Sequence, residues 1–234
     1  MELAPNIHWI KGINANVYAL IEKKGVTLID TGAESIDKVD FIFNYLERLN
    51  LFPLDVKRIL VTHADGDHAG NVRGIIDETG ATAYASPETK IHLINGSQPK
   101  HLSRSRAWFS TVLTGTPAVP EEKIRALDLS NRLLPIMGRL EVIPSPGHTD
   151  GHLSFFHPAT GVLFAGDALS TRRNQLSCSP DAQSADTGQA ARSAIRLIKH
   201  SPAIIACGSG APMSDQSAID VARALQAWRS EQPK

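Results

Sequence analysis

Apolar positions change period several times along the chain. Ile7–Ile10, Ala15–Ile21 and Val26–Ile29 are short β-branched runs set apart by Gly12 and Gly25. That pattern predicts antiparallel strands. From Ser35 to Asn50 the period lengthens, and Ile36, Val39, Ile42, Phe43, Leu46 and Leu49 share one helical face. Ser35 is its expected cap and Pro53 its stop signal. Lys57–Val61 predicts a strand that runs straight into the polar cluster Thr62-His-Ala-Asp-Gly-Asp-His-Ala-Gly70. A helix is expected over Val72–Glu78, a strand over Ala81–Ala85, and a short helix opened by Pro87.

Residues 95–120 break the alternation. Gly96, Pro99, Gly115, Pro117 and Pro120 surround one helical stretch, Lys100–Leu113, which reads as an insertion or lid. The strand pattern resumes at Leu140–Ile143, Leu153–Phe156 and Val162–Phe164. A helix over Ser184–Lys199, a buried strand Ala203–Ala206 and a last helix Ser214–Arg229 complete the chain. Each half reads as strands, helix, strand, helix, with no linker between the halves. The packing this predicts is a four-layer αββα sandwich of two mixed sheets, an α/β (α+β) fold in one domain spanning 1–234.

Composition narrows the setting. Hydrophobic residues make up 42% and charged residues 21% of 234, which excludes overall disorder. Lys plus Arg equals Asp plus Glu at 24 each. No global field then favours nucleic acid or an anionic membrane. Two cysteines, Cys178 and Cys207, cannot build a disulfide framework and fit a reducing compartment. No apolar run approaches the ~20 residues that span a bilayer, and the first residues lack the basic start and apolar stretch of a signal peptide. The expectation is a cytoplasmic monomer or homodimer acting on a small molecule, with no nucleic acid and no membrane partner.

The chemistry concentrates in His63-x-Asp65-x-Asp67-His68, four ligand-type side chains within six residues. On a strand-to-loop segment alternate residues point the same way, so His63, Asp65 and Asp67 are expected to converge, with His68 facing a second ion. Imidazole and carboxylate suit zinc, iron or manganese, and no thiolate takes part. Pro146-Gly-His148-Thr-Asp-Gly-His152 adds two histidines in a Gly-rich turn, and Phe164-Ala-Gly-Asp167 places an acid at a strand end.

Taken in order with Asp30-Thr31-Gly32 and Cys207-Gly208-Ser209-Gly210-Ala211-Pro212, these segments resemble the metallo-β-lactamase fold superfamily over nearly the whole chain. The resemblance implies the αββα sandwich and a cleft holding one or two divalent ions, zinc first, with manganese or iron as alternatives. It assigns His63, Asp65 and His148 to one ion, Asp67 and His68 to the other, Asp167 to the bridge between them, and Asp30 to orienting a ligand. Two positions depart from the family's pattern. Asp65 stands where His is usual, which makes the first site richer in oxygen. Ser209 stands in a Gly-Ser-Gly turn where a ligand His is usual, which weakens or removes the second ion. His152 is expected to support its turn without ligating.

The function this implies is hydrolysis of a small ester, lactone or thioester by a metal-activated hydroxide, with Asp67 as the catalytic proton carrier. The alternatives are a mononuclear iron enzyme resembling persulfide dioxygenases, and a non-catalytic member that only binds metal or ligand. Arg104, Arg106 and Trp108 in the insertion, and Arg172 after Asp167, are the candidate substrate contacts.

Overall fold

Three hydrophobic cores separate four layers in the computed structural model, which describes residues 1–99, 116–179 and 183–214. The strands β1 (Glu2–Ala4), β2 (Ile7–Lys11), β3 (Asn16–Glu22), β4 (Gly25–Ile29), β5 (Val56–Leu60), β6 (Thr82–Ala85) and β7 (Ile124–Ala126) form the first sheet in that order. Pairing is antiparallel from β1 to β4 and parallel from β4 to β7. Parallel neighbours need crossovers. Three pieces lie in them: α1 (Asp40–Glu47), the short α2 (Gly66–Ala69) running into α3 (Val72–Thr79), and α4 (Pro87–Asn95).

The second sheet follows the same plan. The strands β8 (Leu133–Leu134), β9 (Leu140–Pro144), β10 (Leu153–His157) and β11 (Val162–Thr171) are antiparallel, and β12 (Ser177–Cys178) pairs the far end of β11. Through α5 (Thr187–Ile198) the chain returns to β13 (Ile204–Gly210), parallel to β11, and ends its described part in β14 (Met213–Ser214).

Period-2 alternation builds the layers. Leu28 and Ile59 face the helices α1 and α3, while their neighbours Ile29 and Leu60 face the other sheet. Phe155 and Phe164 fill the space between the sheets, and Phe156, Leu163 and Ile205 pack against Ala194, Leu197 and Ile198 of α5. Both sheets are therefore covered on both faces, as the sandwich requires.

Several element ends differ from the sequence reading. The first helix starts at Asp40, not Ser35, and Ser35 does not cap it. The Asp37 carboxylate instead accepts from the amides of Ile13 and Ala33, and Lys38 is left-handed at φ 52°. Ile36 is 37% exposed and lies off the buried face. The strand at Val162 runs on to Thr171, and the Gly208-Ser209-Gly210 segment is the end of β13, not a turn. Ser214 belongs to β14. The rest of the last expected helix, and the stretch Lys100–Leu113 with Arg104, Arg106 and Trp108, lie outside the described residues.

One polar contact ties the sheets together beside the end of β13. The Tyr18 hydroxyl donates to the carbonyl of Cys207 at 2.6 Å, and the Asn16 amide donates to the same carbonyl at 3.0 Å and to Gly210. Both residues are buried on β3, so the contact joins opposite sheets. Tyr18→Phe is expected to lower stability by about 1 kcal/mol. In urea unfolding the midpoint should fall while the slope stays unchanged.

Candidate metal centre

The cluster sits where β4, β5 and β11 end or bend. Asp30 follows β4, Thr62 and His63 follow β5, and Asp65 opens α2 as its N-cap residue. Asp67 and His68 lie in α2, His148 in the turn before β10, and Asp167 within β11. A register shift follows Gly166, so that β11 pairs Cys207 through Gly166 and Ser209 through Ser170. That irregularity turns the middle of the strand, with Asp167, into the cleft.

Two groups of donors form. His63, Asp65 and His148 make one, and His63, His68 and Asp167 make the other, each with its ligand atoms within 4.8 Å of one another. Asp65 Oδ2 lies 3.2 Å from His148 Nε2 and 3.5 Å from His63 Nε2, and His68 Nε2 lies 3.4 Å from Asp167 Oδ1. Neighbouring ligand atoms around a tetrahedral ion bound at ~2.0–2.1 Å stand about 3.3–3.4 Å apart. His63 Nε2, His68 Nε2 and Asp167 Oδ1 are buried and take no hydrogen-bond partner among the described residues. Donor type, spacing and this buried unmet capacity all fit a divalent cation.

Each imidazole is fixed from behind. Asp30 Oδ1 accepts the Thr62 amide, and its Oδ2 accepts the Thr62 hydroxyl and His68 Nδ1, each within 2.9 Å. His63 Nδ1 contacts the same Thr62 hydroxyl at 2.9 Å, and His148 Nδ1 contacts Ser179 Oγ at 2.9 Å. With the Thr62 hydrogen committed to Asp30, its oxygen accepts from His63. Every Nδ1 is thus engaged outward and every Nε2 points into the cluster, the arrangement that metal-binding histidines use. Thr62 and Ser179 were not singled out from sequence. Thr62 adjoins the ligand run and could have been noticed, whereas nothing in the loop around Ser179 marks it.

Charge is arranged for a cation as well. Burial and the neighbouring His68 push His63 below the usual imidazole range. Burial acts the same way on His68, but Asp167, Asp30 and Asp67 outweigh it and hold its pKa well above that range. For His148 too, burial is outweighed, here by Asp65 and Asp167, and the pKa rises. Burial would raise Asp167, yet His68, His148 and His63 drive it far below the carboxylate range.

Asp67 stands outside both groups. The strand alternation that was to bring it beside His63 and Asp65 stops at Asp65, whose carbonyl accepts the amides of His68 and Ala69 and starts a helical turn. The turn swings His68 inward and leaves Asp67 at the margin. Burial raises its pKa, with His68 as the strongest opposing charge. His152 also stays outside both groups. Its Nδ1 contacts Ser145 Oγ at 2.8 Å and its Nε2 accepts the Asp167 amide at 3.1 Å. Burial and the nearby histidines keep it neutral, which that acceptor role requires.

Ser209 is buried, and its hydroxyl accepts from Arg172 Nη2 at 3.1 Å. Next to it, Gly208 passes so close to the cluster that a Cβ would lie 2.3 Å from His68 Cε1 and 2.4 Å from Asp167 Oδ1.

The sequence profile of the metallo-beta-lactamase superfamily matches residues 10–209. The chain belongs to this superfamily. The probable metallo-hydrolase YflN of Bacillus subtilis is 26% identical over 92% of this chain and 88% of its own length. A hydroxyacylglutathione hydrolase of Methylobacillus flagellatus is 31% identical over 53% of this chain, which covers 38% of that relative. Among solved structures, a metallo-beta-lactamase family protein of Thermus thermophilus superposes with a TM-score of 0.68 at 25% identity, covering 97% of this chain and 81% of that one. A B3 metallo-beta-lactamase with an active-site glutamic acid reaches 0.69 at 23% identity, covering 98% and 90%, and shows the shared fold. The chain thus shares the αββα sandwich of the superfamily, and metallo-hydrolases are among its relatives. Among the described residues no helix is long and apolar enough to cross a membrane.

Two outcomes follow for metal binding. Asp30→Asn keeps the left-handed backbone at this position (φ 57°) but loses an acceptor for His68 and Thr62. Titration calorimetry should show affinity lowered about 10–100-fold. Because His68 and His148 hold protons above their usual range, an entering ion must displace them. Affinity should therefore rise with pH above about 6.5, and binding should release protons. Affinity that stays flat from about pH 6 to 8 would contradict this charge arrangement.

Proposed function

We propose that this protein is a metal-dependent hydrolase of a small thioester, lactone or ester. The observation that carries the reading is the pair of donor groups whose Nε2 and carboxylate atoms stand at ligand spacing, each imidazole backed at Nδ1. His63, Asp65 and His148 would hold the ion, and His68 and Asp167 adjoin through the shared His63. Bound there, a divalent ion supplies a Lewis acid and acidifies water to a pKa of about 7. Zinc suits the imidazoles, and the carboxylate of Asp65 also admits manganese or iron.

The chain's own residues do the rest. Asp30 and Thr62 keep the His63 and His68 tautomers fixed, so no reorganisation is needed during turnover. Asp67, at the margin and with a raised pKa, is placed to accept a proton from water and return it to the leaving group. His152 holds Asp167 through its backbone amide and stays out of the chemistry. Relatives described as hydroxyacylglutathione hydrolases support a thioester among the substrates to be tried first. A cytoplasmic location and a small-molecule substrate belong to the same reading.

The test combines metal content with turnover. Protein purified without chelator should carry at least one divalent ion per chain by elemental analysis. It should hydrolyse at least one member of a thioester, lactone and ester panel. Chelation should abolish that activity, and zinc or manganese should restore it. Asp67→Asn should lower kcat about 10²–10⁴-fold with metal content unchanged. Folded, metal-loaded protein inactive across the panel would overturn the reading. Iron together with oxygen uptake on a persulfide would replace it with a two-histidine, one-carboxylate oxygenase.

A further inference from the structure

The ladder between β10 and β11 ends at the pair Phe155 and Phe164. Carried one and three residues further, the same register would set Ser154 opposite Ala165 and His152 opposite Asp167. There β11 bends instead, with a register shift against β13 between Phe164 and Gly166. Gly166 is left-handed at φ 52°. A Cβ on it would lie 2.6 Å from His152 Nε2 and 2.9 Å from Thr62 Cβ, so the bend is gripped from two sides. A buried carbonyl and amide released from a ladder need other partners.

Side chains supply them. The Ser154 hydroxyl donates to the Ala165 carbonyl, and the Asp167 amide donates to His152 Nε2, both at 3.1 Å. Ser145 Oγ joins the two, 2.7 Å from Ser154 Oγ and 2.8 Å from His152 Nδ1. Ser145, His152 and Ser154 are all buried. Direction is forced from both ends. A carbonyl only accepts, so Ser154 commits its hydrogen to Ala165 and accepts from Ser145. Ser145 then accepts from a protonated His152 Nδ1. An amide N–H only donates, so His152 Nε2 must be bare. Both ends demand the same tautomer, and every hydrogen in the chain meets an acceptor. The contacts close a ring around Gly166, from the residue before it to the residue after it.

Asp167 leaves this ring towards the cleft, where its Oδ1 stands 3.4 Å from His68 Nε2. We propose that Ser145, Ser154 and His152 work as one positioning device for Asp167, which sets its carboxylate at ligand spacing from His68 and His63. None of the three belongs to either donor group. A chain whose hydrogens are all committed acts as a unit, so a cut at one hydroxyl is felt at the far end. The inference rests on the metal centre of the hydrolase reading, but it is read from ion binding and proton position without a substrate.

The experiment is calorimetric titration of the full chain with zinc against a competing chelator. Asp167→Asn marks the binding step that depends on Asp167. Ser145→Ala and Ser154→Ala should each weaken that same step about tenfold, the lower end of what a lost supporting contact costs. Because one chain carries both effects, the double variant should weaken it by less than the product of the two single losses. Ile42→Val trims the core under α1 and controls for lost stability, so it should leave zinc affinity unchanged. Proton–nitrogen correlation NMR of the metal-free wild-type chain needs no variant, and His152 should carry its proton on Nδ1 with Nε2 bare. The proposal is overturned by serine variants that bind zinc as tightly as the wild type, by an equal loss in Ile42→Val, or by single losses that multiply in the double variant. A His152 proton on Nε2 overturns it too, as does an Asp167→Asn chain that keeps every binding step. Turnover on the thioester, lactone and ester panel separates the two readings. If nothing is hydrolysed but the serine variants lose zinc, the hydrolase reading fails and the device stands. If substrate is hydrolysed while the serine variants keep wild-type affinity, the device fails and the hydrolase reading stands.

Discussion

The site depends on one buried carboxylate. Asp30 takes three hydrogen bonds, from the amide and hydroxyl of Thr62 and from His68 Nδ1. Through the Thr62 hydroxyl it also sets His63, so one acid fixes the tautomers of two imidazoles on different segments. The next residue continues the link, with the Thr31 amide and hydroxyl both donating to the His68 carbonyl, and Gly32 bridging Ala69. The end of β4 thus clamps the loop after β5 at side chain and backbone together. A buried polar network of this kind is costly if any member is left unpaired. Among the described residues, His63 Nε2, His68 Nε2 and Asp167 Oδ1 are buried without hydrogen-bond partners, and all three face the cluster.

Closure of the sandwich and assembly of the site are mechanically the same event at its edge. The second sheet brings Asp167, Gly208 and His148 against residues that all belong to the first half of the chain. Tyr18 and Asn16 fix the distance between the sheets at Cys207, one residue before Gly208. Gly208 has no room for even a methyl group between its backbone and the donors His68 and Asp167. Any slackening between the layers would therefore be felt first as a displaced ligand.

What was legible in the sequence was what repeats or clusters. Strands alternating between two cores showed through their period of two, and the candidate donor run showed through four ligand-type residues in six, of which Asp67 stands outside both groups. The cleft partners His148 and Asp167 showed as ligand-type residues beside small turn residues. Less legible were places where a local contact overrides a pattern. Asp37 captures two amides and erases the first turns of a helix whose apolar spacing was sound. The small residues of Ala165–Thr171 and Gly208–Gly210 carry no alternation, yet they pair as strands because each supplies the other's backbone partners. Asp67 fell out of line because the period of two gives way to a helical turn at Asp65, within the motif itself. The Arg172–Ser209 contact joins residues 37 apart and has no local signature.

Ser209 is more than a ligand position left blank. Its neutral hydroxyl turns one of its two lone pairs to the Arg172 guanidinium. That contact sets a guanidinium beside the position where the superfamily's usual histidine would stand. The first group, by contrast, has a carboxylate between two imidazoles, and both of those imidazoles are tied at Nδ1. The two departures from the superfamily's histidines therefore act in opposite directions. Asp65 adds negative charge where an ion is to be held, and Ser209 with Arg172 places positive charge just beyond it.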